Sequence, residues 1–415
     1  MKEMNYEQEV EVVGHLIDSM ILTKIFDTIM DLKGEFEVLE FRIGKRKEDY
    51  SYAKLLIKGK DEKHLISMLK EIYKYGAVPI KLKEVNYKPA PMDKVLPDDF
   101  YSTTNNPTYI YLKGSWIEVK DLMMDKPIVI DPSLKRAYCK PLVEIKKGDL
   151  IVVGEEGIKV LPPERPREGT GIFEFMSSRT SSEKPVTSIA RLVAQDLIEN
   201  KLKGGKTVVV GGPAIVHTGA TSSFAEMIRN GYVDVLLAGN ALAVHDVEYA
   251  LFGRSLGIDV ATGIAKPGGH RNHMAAINEI MKAGSLKEAV SKGILKSGIF
   301  YECIKNNVQF VLAGSIRDDG PIPDVITDIV EAQKMYREAL KGANIVLMLS
   351  TMLHSIAVGN MLPSTEKVIA VDINQAALTK LLDRGTGQAI GIVSDVGTFL
   401  PLLNQNLKEL VKNYK

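Results

Sequence analysis

The stretch VLAGSIRDDGP, residues 311–321, joins an apolar run to a group of charged residues. The run has the character of a buried strand, and Arg317, Asp318 and Asp319 follow it almost directly. A guanidinium can hold a carboxylate through two hydrogen bonds, and a carboxylate can act as a general base. The stretch therefore predicts a site for a small charged molecule. The alternative is a structural ion pair between Arg317 and one of the aspartates beside the Gly-Pro turn.

Five other apolar runs in the C-terminal half also end in small or polar residues, and amphipathic helical patterns separate them. With the run at 308–315, the six are KTVVVGG, VDVLLAGN, VQFVLAGS, ANIVLMLS, KVIAVDIN and AIGIVSD. Continuous apolar strands alternating with helices are typical of a parallel sheet that helices cover on both faces. The sequence thus predicts a doubly wound, Rossmann-like α/β domain whose ligands lie at the carboxyl ends of the strands.

A strand, a turn, a helix and a second strand ending in Asp372 suggest a dinucleotide site. The spacing of about 20 residues is the one at which an acidic side chain accepts the ribose hydroxyls, and its charge would favour NAD over NADP. A helix N-cap is the alternative role for Asp372. We assign to the cofactor the residues that follow the strands, together with Asp319 from the charged loop, defined as residues 315–320. The residues after the strands are Asn240, Ala241, Ser350, Thr351, Met352, Leu353, His354, Asp372, Asp395 and Val396.

No GxGxxG motif is present, so Ser350, Thr351 and the N–H groups of a helix start would have to hold any phosphate at this turn. The glycine-bearing stretch at 208–228 is an alternative phosphate loop, but its spacing fits neither a Walker A motif nor the dinucleotide pattern.

Three histidines outside the strand ends are candidates for metal ligands or for acid/base groups. His270 and His273 lie one helical turn apart, but no carboxylate or third histidine at familiar spacing supports a metal, so a solvated or capping role is favoured. His245 and Asp246 form either a local hydrogen-bonded pair or an acid/base pair. No metal site is predicted.

The rest of the chain indicates two smaller domains before the α/β domain. Residues 8–88 read as strand, helix, strand, strand, helix, strand, the order of the split βαβ or ferredoxin-like motif. A proline-rich stretch, YKPAPMDKVLPDDF, is interpreted as a linker, and short strands with glycine and proline turns then predict a β-rich domain. The segment GTGIFEFMSSRTSSEKP is expected to be a mobile connection. The predicted domains are 1–92, 93–182 and 183–415.

Composition excludes several classes of partner. A net charge of +1 gives no electrostatic case for nucleic acid or a membrane surface, and no stretch is apolar enough to span a bilayer. The charged N-terminus does not resemble a signal peptide, so we expect a cytoplasmic protein. Cys139 and Cys303 cannot form a disulfide framework, and each is either core filler or a single reactive thiol.

Four separated motifs resemble one known family. FYSTTNNPTYI, LLAGNALAVHD, SGIFYECIKNN and VLAGSIRDDGPIPDV are similar to the region named after the bifunctional lysine-ketoglutarate reductase/saccharopine dehydrogenase. The similarity is greatest to the archaeal-type ornithine cyclodeaminases and extends to the C-terminal part of the cyanobacterial arginine dihydrolase/ornithine cyclodeaminase fusion. It covers essentially the whole chain. The resemblance implies conversion of L-ornithine to L-proline and ammonia with tightly held NAD.

This chemistry implies roles for the charged residues. NAD would remove hydride from Cα of ornithine, the δ-amine would close the ring with loss of ammonia, and the hydride would return. Arg317 is the candidate for binding the α-carboxylate, and Asp318, Asp319 and Glu302 are the candidate carboxylates for handling the amines. Cys303 is placed near the substrate as a further candidate catalytic residue. The alternatives are another NAD-dependent amino-acid dehydrogenase or deaminating lyase, and a non-catalytic sensor of NAD or amino acids. A homo-oligomer is expected.

Overall fold

The computed structural model describes residues 6–17, 19–46, 49–80, 83–161, 180–181, 186–255, 258–259, 270–384 and 389–413. The chain divides into two compact units, Met1–Glu168 with Leu362–Thr365 and Gly169–Met361 with Glu366–Lys415. No helix in the described ranges has both the length and the apolar character that a membrane span requires.

The first unit begins with a four-stranded antiparallel sheet and two helices. In chain order the elements are β1 (Tyr6–Gly14), α1 (Ile21–Asp31), β2 (Glu35–Arg42), β3 (Ser51–Gly59), α2 (Glu62–Tyr73) and β4 (Val78–Pro79). The strands lie in the order β2-β3-β1-β4. Residues of β3 alternate between buried and half-buried, and Leu55 and Ile57 pack with Ile25 of α1 and Met68 of α2 in one core. The element order is the one that the sequence predicts.

A second, seven-stranded sheet completes the first unit. Its strands are β5 (Asn86–Pro89), β6 (Thr108–Leu112), β7 (Ser115–Lys120), β8 (Ile128–Asp131), β9 (Arg136–Cys139), β10 (Leu150–Val153) and β11 (Ile158–Val160). They lie in the order β11-β6-β7-β9-β8-β10-β5, and all neighbours are antiparallel except β7 and β9.

The predicted linker is wrong in its first residues. Tyr87–Pro89, expected to be linker, belong to β5, which pairs with β10 at the edge of the seven-stranded sheet. A proline is tolerated there because an edge strand has one side without a ladder partner. The last strand of the first sheet is correspondingly shorter than predicted, since β4 contains only Val78 and Pro79. Apart from Thr180 and Ser181, the predicted mobile connection lies outside the described residues.

The second unit is built on an eight-stranded parallel sheet. Its strands are β12 (Thr180–Ser181), β13 (Lys206–Gly211), β14 (Val235–Gly239), β17 (Gln309–Ala313), β18 (Val325–Ile326), β19 (Ala343–Leu349), β20 (Lys367–Asp372) and β21 (Ala389–Val393). Between β14 and β17 lies a separate antiparallel pair, β15 (Arg254–Ser255) and β16 (Ile258–Asp259).

The helices of this unit, numbered in chain order, connect or follow the strands. They are α3 (Val186–Leu202), α4 (Ala214–His217), α5 (Thr221–Arg229), α6 (Asn240–Phe252), α7 (His270–Ala283), α8 (Leu286–Ser291), α9 (Ile299–Lys305), α10 (Ile329–Leu340), α11 (Met352–Met361), α12 (Gln375–Arg384) and α13 (Val396–Leu410).

The strand order places a crevice in the middle of this sheet. The order is β12-β21-β20-β19-β13-β14-β17-β18, and every neighbouring pair is parallel. From β13 the chain runs outward through β14 to β17, returns to β19 on the other side of β13, and continues through β20 to β21. This is the Rossmann order, in which the direction of winding reverses between the first and fourth strands, here β13 and β19. The predicted doubly wound α/β fold is confirmed, and its ligand crevice lies where β13 and β19 end.

Candidate active site

The two strands that border the crevice end in close backbone contact. The Gly212 N–H donates a hydrogen bond of 2.9 Å to the carbonyl of Leu349. A Cβ atom on Gly212 would lie 2.0 Å from the carbonyl oxygen of Ser350, so no larger residue fits without movement of the backbone. Ser350 itself has a φ of 50°, in the left-handed region that non-glycine residues seldom occupy. Gly212 therefore serves close strand packing at the crevice, a role distinct from a phosphate-binding glycine.

The first turn of α11 packs against the end of β14. A Cβ on Gly239 would lie 2.9 Å from Cε1 of His354, and Thr351 Oγ1 lies 3.2 Å from His354 Nδ1. Burial lowers the pKa of His354, and the nearby carboxylate of Asp318 opposes this effect. His354 is thus neutral at neutral pH and lies between the β14 end and the charged loop.

The charged loop that follows β17 is held at the same edge by an amide. The buried side chain of Asn240 accepts a hydrogen bond of 3.2 Å from the Ile322 N–H and donates one of 3.4 Å to the Gly320 carbonyl. Within the loop, Asp318 accepts a 2.8 Å hydrogen bond from the Ser315 N–H. The two aspartates have different neighbours. The charge of Asp318 acts to raise the pKa of His354, whereas Asp319 Oδ2 lies 3.4 Å from His273 Nε2.

Asp372 ends β20 without capping the helix that follows. Its Oδ1 accepts a 2.8 Å hydrogen bond from the Asn374 N–H, two residues along. The side chain of Asn374 accepts a 2.9 Å hydrogen bond from the Ala376 N–H, which is the N-cap interaction for α12. Since Asn374 fills the capping position, the structure does not favour the N-cap alternative for Asp372.

Large apolar side chains are exposed at the ends of three strands. Ile316 follows β17 and is fully exposed, and Leu353 after β19 and Ile373 after β20 are 69% and 71% exposed. Met352 is 45% exposed beside Leu353. Exposed apolar groups beside a few polar side chains are characteristic of ligand sites, where they contact flat or apolar parts of a ligand.

The predicted residues that follow strand ends all come to the carboxyl edge of the parallel sheet. They are Asn240, Ala241, Arg317, Asp318, Asp319, Ser350, Thr351, Met352, Leu353, His354, Asp372, Asp395 and Val396. Among them Arg317 and Asp319 are exposed, whereas Val396 is fully buried. Contact of these residues with a cofactor or a substrate stays a prediction.

A group of histidines near this edge was missed by the sequence interpretation. His273 was expected to be solvated or to cap a helix, but its ring lies 4.8 Å from that of His245, which in turn lies 4.5 Å from that of His217. His245 Nδ1 lies 3.0 Å from Glu248 Oε2. The sequence does contain one sign of this group, because the three-residue spacing of His245 and Glu248 puts them on one face of α6. The side chain of His270 lies outside the described residues.

Asp246 has a structural role and does not pair with His245. Its two carboxylate oxygens accept hydrogen bonds of 2.9 and 3.0 Å from the N–H groups of Ile299 and Phe300, at the start of α9. Complete burial raises the pKa of Asp246 to about 7, although the two N–H donors act in the opposite direction. The acid/base pair of His245 and Asp246 is therefore not formed.

Three family profiles together span residues 7–403. Residues 7–106 match the LOR/SDH bifunctional enzyme conserved region. Residues 107–190 and 191–403 match two parts of the ArgZ-like arginine dihydrolases, the first region of the C-terminal part and its Rossmann fold.

Two archaeal proteins are similar over nearly their whole length. The ornithine cyclodeaminase of Methanocaldococcus jannaschii is 58% identical over 98% of this chain and 97% of its own. That of Methanopyrus kandleri is 58% identical over 97% of this chain and 98% of its own. This chain belongs to the family of these archaeal ornithine cyclodeaminases. The family predicted from the sequence is confirmed.

Solved structures of related proteins have the same fold. Cyanobacterial ArgZ, an arginine dihydrolase, superimposes with a TM-score of 0.85 at 37% identity, over 98% of this chain and 59% of that chain. A LOR/SDH protein of Methanococcus maripaludis gives 0.75 at 51% identity, over 80% of this chain and all of the other. AgrE in a ternary complex with ornithine and NAD+ gives 0.55 at 40% identity, over 99% of this chain and 58% of that chain.

Two residues predicted as catalytic lie away from the carboxyl edge of the family's α/β unit. Glu302 and Cys303 lie in the middle of the short helix α9, which leads into the beginning of β17. Glu302 is buried, with one oxygen 3.2 Å from Arg229 Nε and the other accepting a 3.0 Å hydrogen bond from the Asn306 side chain. Cys303 is fully buried in the core, and burial raises the pKa of its thiol. The geometry gives both residues structural contacts, so we assign them no part in the chemistry.

Proposed function

We propose that this chain is an ornithine cyclodeaminase that converts L-ornithine to L-proline and ammonia with NAD as a recycling cofactor. The observation that carries the proposal is the 58% identity to the Methanocaldococcus ornithine cyclodeaminase over 98% of this chain. The related AgrE has been solved with ornithine and NAD+. The crevice between β13 and β19 is the place where a Rossmann fold binds a dinucleotide.

The residues at the crevice suit NAD in charge and shape. Asp372 supplies a carboxylate for the ribose hydroxyls. Helices α6 and α11 begin at this edge and neither has an acidic residue in its first turn, so their N–H groups can face a pyrophosphate. Exposed Leu353 and Ile373 offer apolar surface for the rings. The remaining predicted cofactor residues keep their assignments in this proposal.

When bound, NAD would accept hydride from the α-carbon of ornithine and return it to the cyclic imine. The chain has to orient the substrate for this exchange and to hold the groups that move protons. In this proposal Arg317 binds the α-carboxylate, because its guanidinium is exposed in the loop beside the crevice. Asp318 and Asp319 are the candidate carboxylates for proton transfer.

The purified protein with L-ornithine and a catalytic amount of NAD should form proline and ammonia in equal amounts, without accumulation of NADH. The products are measured by amino-acid and ammonia analysis, and NADH by its absorbance. Accumulation of NADH with substrate would instead indicate a simple dehydrogenase. Binding of NAD and ornithine without turnover would indicate a sensor. For this protein, proline biosynthesis stays the predicted pathway and the cytoplasm stays the predicted location.

We further propose that the chain has three domains, 1–92, 93–182 and 183–415, and that the first is ferredoxin-like. In this proposal the N-terminal sheet joins copies of the chain into a homo-oligomer. The edge strand β2 supports this, since Val38 and Phe41 are 45% and 37% exposed on it and Ile43 just beyond it is 56% exposed. An edge strand has backbone groups free to pair with another strand, and these exposed apolar side chains lie on it among its charged residues.

The replacement Val38→Lys should lower the molar mass of the assembly in solution, because a further charge on the edge strand opposes its pairing with the strand of another copy. Light scattering after gel filtration measures this mass. Val13→Lys, at an exposed position of the internal strand β1, is the control and should leave the mass unchanged. A monomeric wild-type protein would contradict the proposal.

A further inference from the structure

The histidine cluster, defined as His217, His245, Glu248 and His273, gathers side chains that are distant in the sequence. His217 ends α4, His245 and Glu248 lie on one face of α6, and His273 belongs to the first turn of α7. His245, Glu248 and His273 each offer one potential ligand atom, and these three atoms lie within 4.8 Å of one another. Helices α4 and α6 follow the adjoining strands β13 and β14, so the cluster lies beside the carboxyl edge of the sheet.

The hydrogen bonds of the cluster determine which ring nitrogen can accept a proton. His273 Nε2 lies 3.4 Å from the carboxylate of Asp319 and can only donate to it, which leaves the lone pair on Nδ1. His273 Nδ1 is buried, makes no hydrogen bond among the described residues, and lies 4.0 Å from Glu248 Oε2. His245 Nδ1 donates to Glu248 at 3.0 Å, and His217 Nδ1 lies 2.7 Å from Ser255 Oγ.

The charges of the cluster favour a cationic ligand. Burial lowers the pKa of His217 to about 4 and also lowers the pKa of His273, so both imidazoles are neutral at neutral pH. Glu248 is fully buried beside them. A carboxylate and neutral imidazoles present lone pairs, which suit either a metal ion or an ammonium group.

The separation of His273 Nδ1 and Glu248 Oε2 can be compared with the values expected for a metal ion and for an ammonium group. Zinc bonds of about 2.1 Å place tetrahedral ligand atoms about 3.4 Å apart. Hydrogen bonds of about 2.8 Å from an ammonium place its acceptors about 4.6 Å apart. The observed 4.0 Å lies midway between these two values, so the distance admits either ligand. The substrate of the proposed function carries a side-chain ammonium, and this favours the ammonium as the ligand of the cluster.

We infer that the histidine cluster binds the side-chain ammonium group of L-ornithine and that His273 accepts its proton. This inference rests on the proposed function. An ammonium cannot attack carbon, because its nitrogen has no lone pair. As the N–H bond breaks, its electron pair stays on the nitrogen and the proton passes to His273 Nδ1. The imidazolium then lies between the carboxylates of Glu248 and Asp319, which stabilise it. The nitrogen pair forms the bond to Cα of the imine that hydride removal leaves, and the C=N π pair passes to the α-nitrogen. That nitrogen takes up a proton from the new ring nitrogen and leaves as ammonia.

The test measures, by calorimetry on the NADH-loaded protein, which cannot accept hydride from the substrate, the affinity for L-ornithine and for L-norvaline, which has the same carbon chain without the side-chain amine. Glu248→Gln should weaken ornithine binding by about 10- to 100-fold, because a buried charge-assisted hydrogen bond is lost, and should leave norvaline binding unchanged. Glu279→Gln, at a partly exposed position of the same helix as His273, is the matched control and should change neither affinity.

His273→Asn extends the test if Glu248→Gln does not fold, since the His273 side chain is 19% exposed and its loss is easier to accommodate. This variant should lower kcat by at least about tenfold and shift the acidic limb of its pH profile, because a proton acceptor is removed. An unchanged kcat and pH profile would refute the role of His273.

Two further outcomes would overturn the inference, and both differ from failure of the proposed function. If Glu248→Gln weakened ornithine and norvaline binding equally, the cluster would not recognise the side-chain ammonium. If the wild-type protein carried one equivalent of zinc that Glu248→Gln lost, with ornithine affinity unchanged, the cluster would be a metal site. Failure of the wild-type protein to form proline would refute the proposed function itself.

Discussion

Gly212→Ala should destabilise the protein by about 2–4 kcal/mol and weaken NAD binding, because the new methyl group has no space to enter. Its Cβ would lie 2.0 Å from the carbonyl oxygen of Ser350 and 3.1 Å from Cβ of Thr351. The first of these atoms belongs to the backbone, so a rotamer change cannot relieve the contact. The ends of β13 and β19 would have to separate, and the turn at 350–351 would move with them.

Gly359→Ala provides the control within the neighbouring helix. Gly359 lies inside α11, and the nearest atom to its Cβ position is Met348 Cε at 4.0 Å, an ordinary contact. Alanine is favoured over glycine in a helix by about 0.5–1 kcal/mol, so this variant should be slightly more stable than the wild type. Urea unfolding monitored by circular dichroism gives both free energies. A Gly212→Ala variant as stable as the wild type would show that the crevice backbone is not constrained as described.

The glycine pattern explains why the cofactor site was only partly visible in the sequence. A GxGxxG motif includes a glycine that lets the backbone approach a phosphate, whereas Gly212 is required by the approach of a neighbouring strand. That neighbour is β19, which follows β13 by more than 130 residues in the chain. Periodicity identified both strands, but only the order of the strands in the sheet makes them adjacent.

The strands and their ends were predictable because each depends on local composition. Six apolar runs became β13, β14, β17, β19, β20 and β21, and the polar residues after them came to one edge. The placement of Glu302 depended on packing instead. It lies close to the charged loop in sequence, yet the intervening β17 carries the loop to the other end of the strand, and Arg229 pairs with Glu302 there.

The histidine cluster could not be assembled from the sequence because its members belong to three helices. His217, His245 and His273 are each 28 residues apart, a separation that matches no metal or catalytic motif. The sequence places His273 near His270, whereas its partners in the structure are Glu248 and Asp319. Contacts between helices depend on the loops that join them, and local patterns carry little information about those loops.

Asp372→Asn should weaken NAD binding by about 10- to 100-fold and narrow the preference for NAD over NADP. An amide keeps the size of the side chain and can still accept the hydrogen bond from the Asn374 N–H. It loses the charge that strengthens bonds from ribose hydroxyls, each worth about 1.5–3 kcal/mol. It also removes the repulsion of a 2′-phosphate, so affinity for NADP should rise while that for NAD falls.

Asp328→Asn separates this cofactor role from a structural one. Asp328 is the N-cap of α10, where its carboxylate accepts hydrogen bonds of 2.8 and 3.1 Å from the N–H groups of Val330 and Glu331. This control should lower the melting temperature slightly and leave cofactor binding unchanged. If Asp372→Asn behaved in the same way, Asp372 would only shape its turn. Because Asn374 already caps α12, we expect the opposite, a loss of NAD affinity with little change in melting temperature.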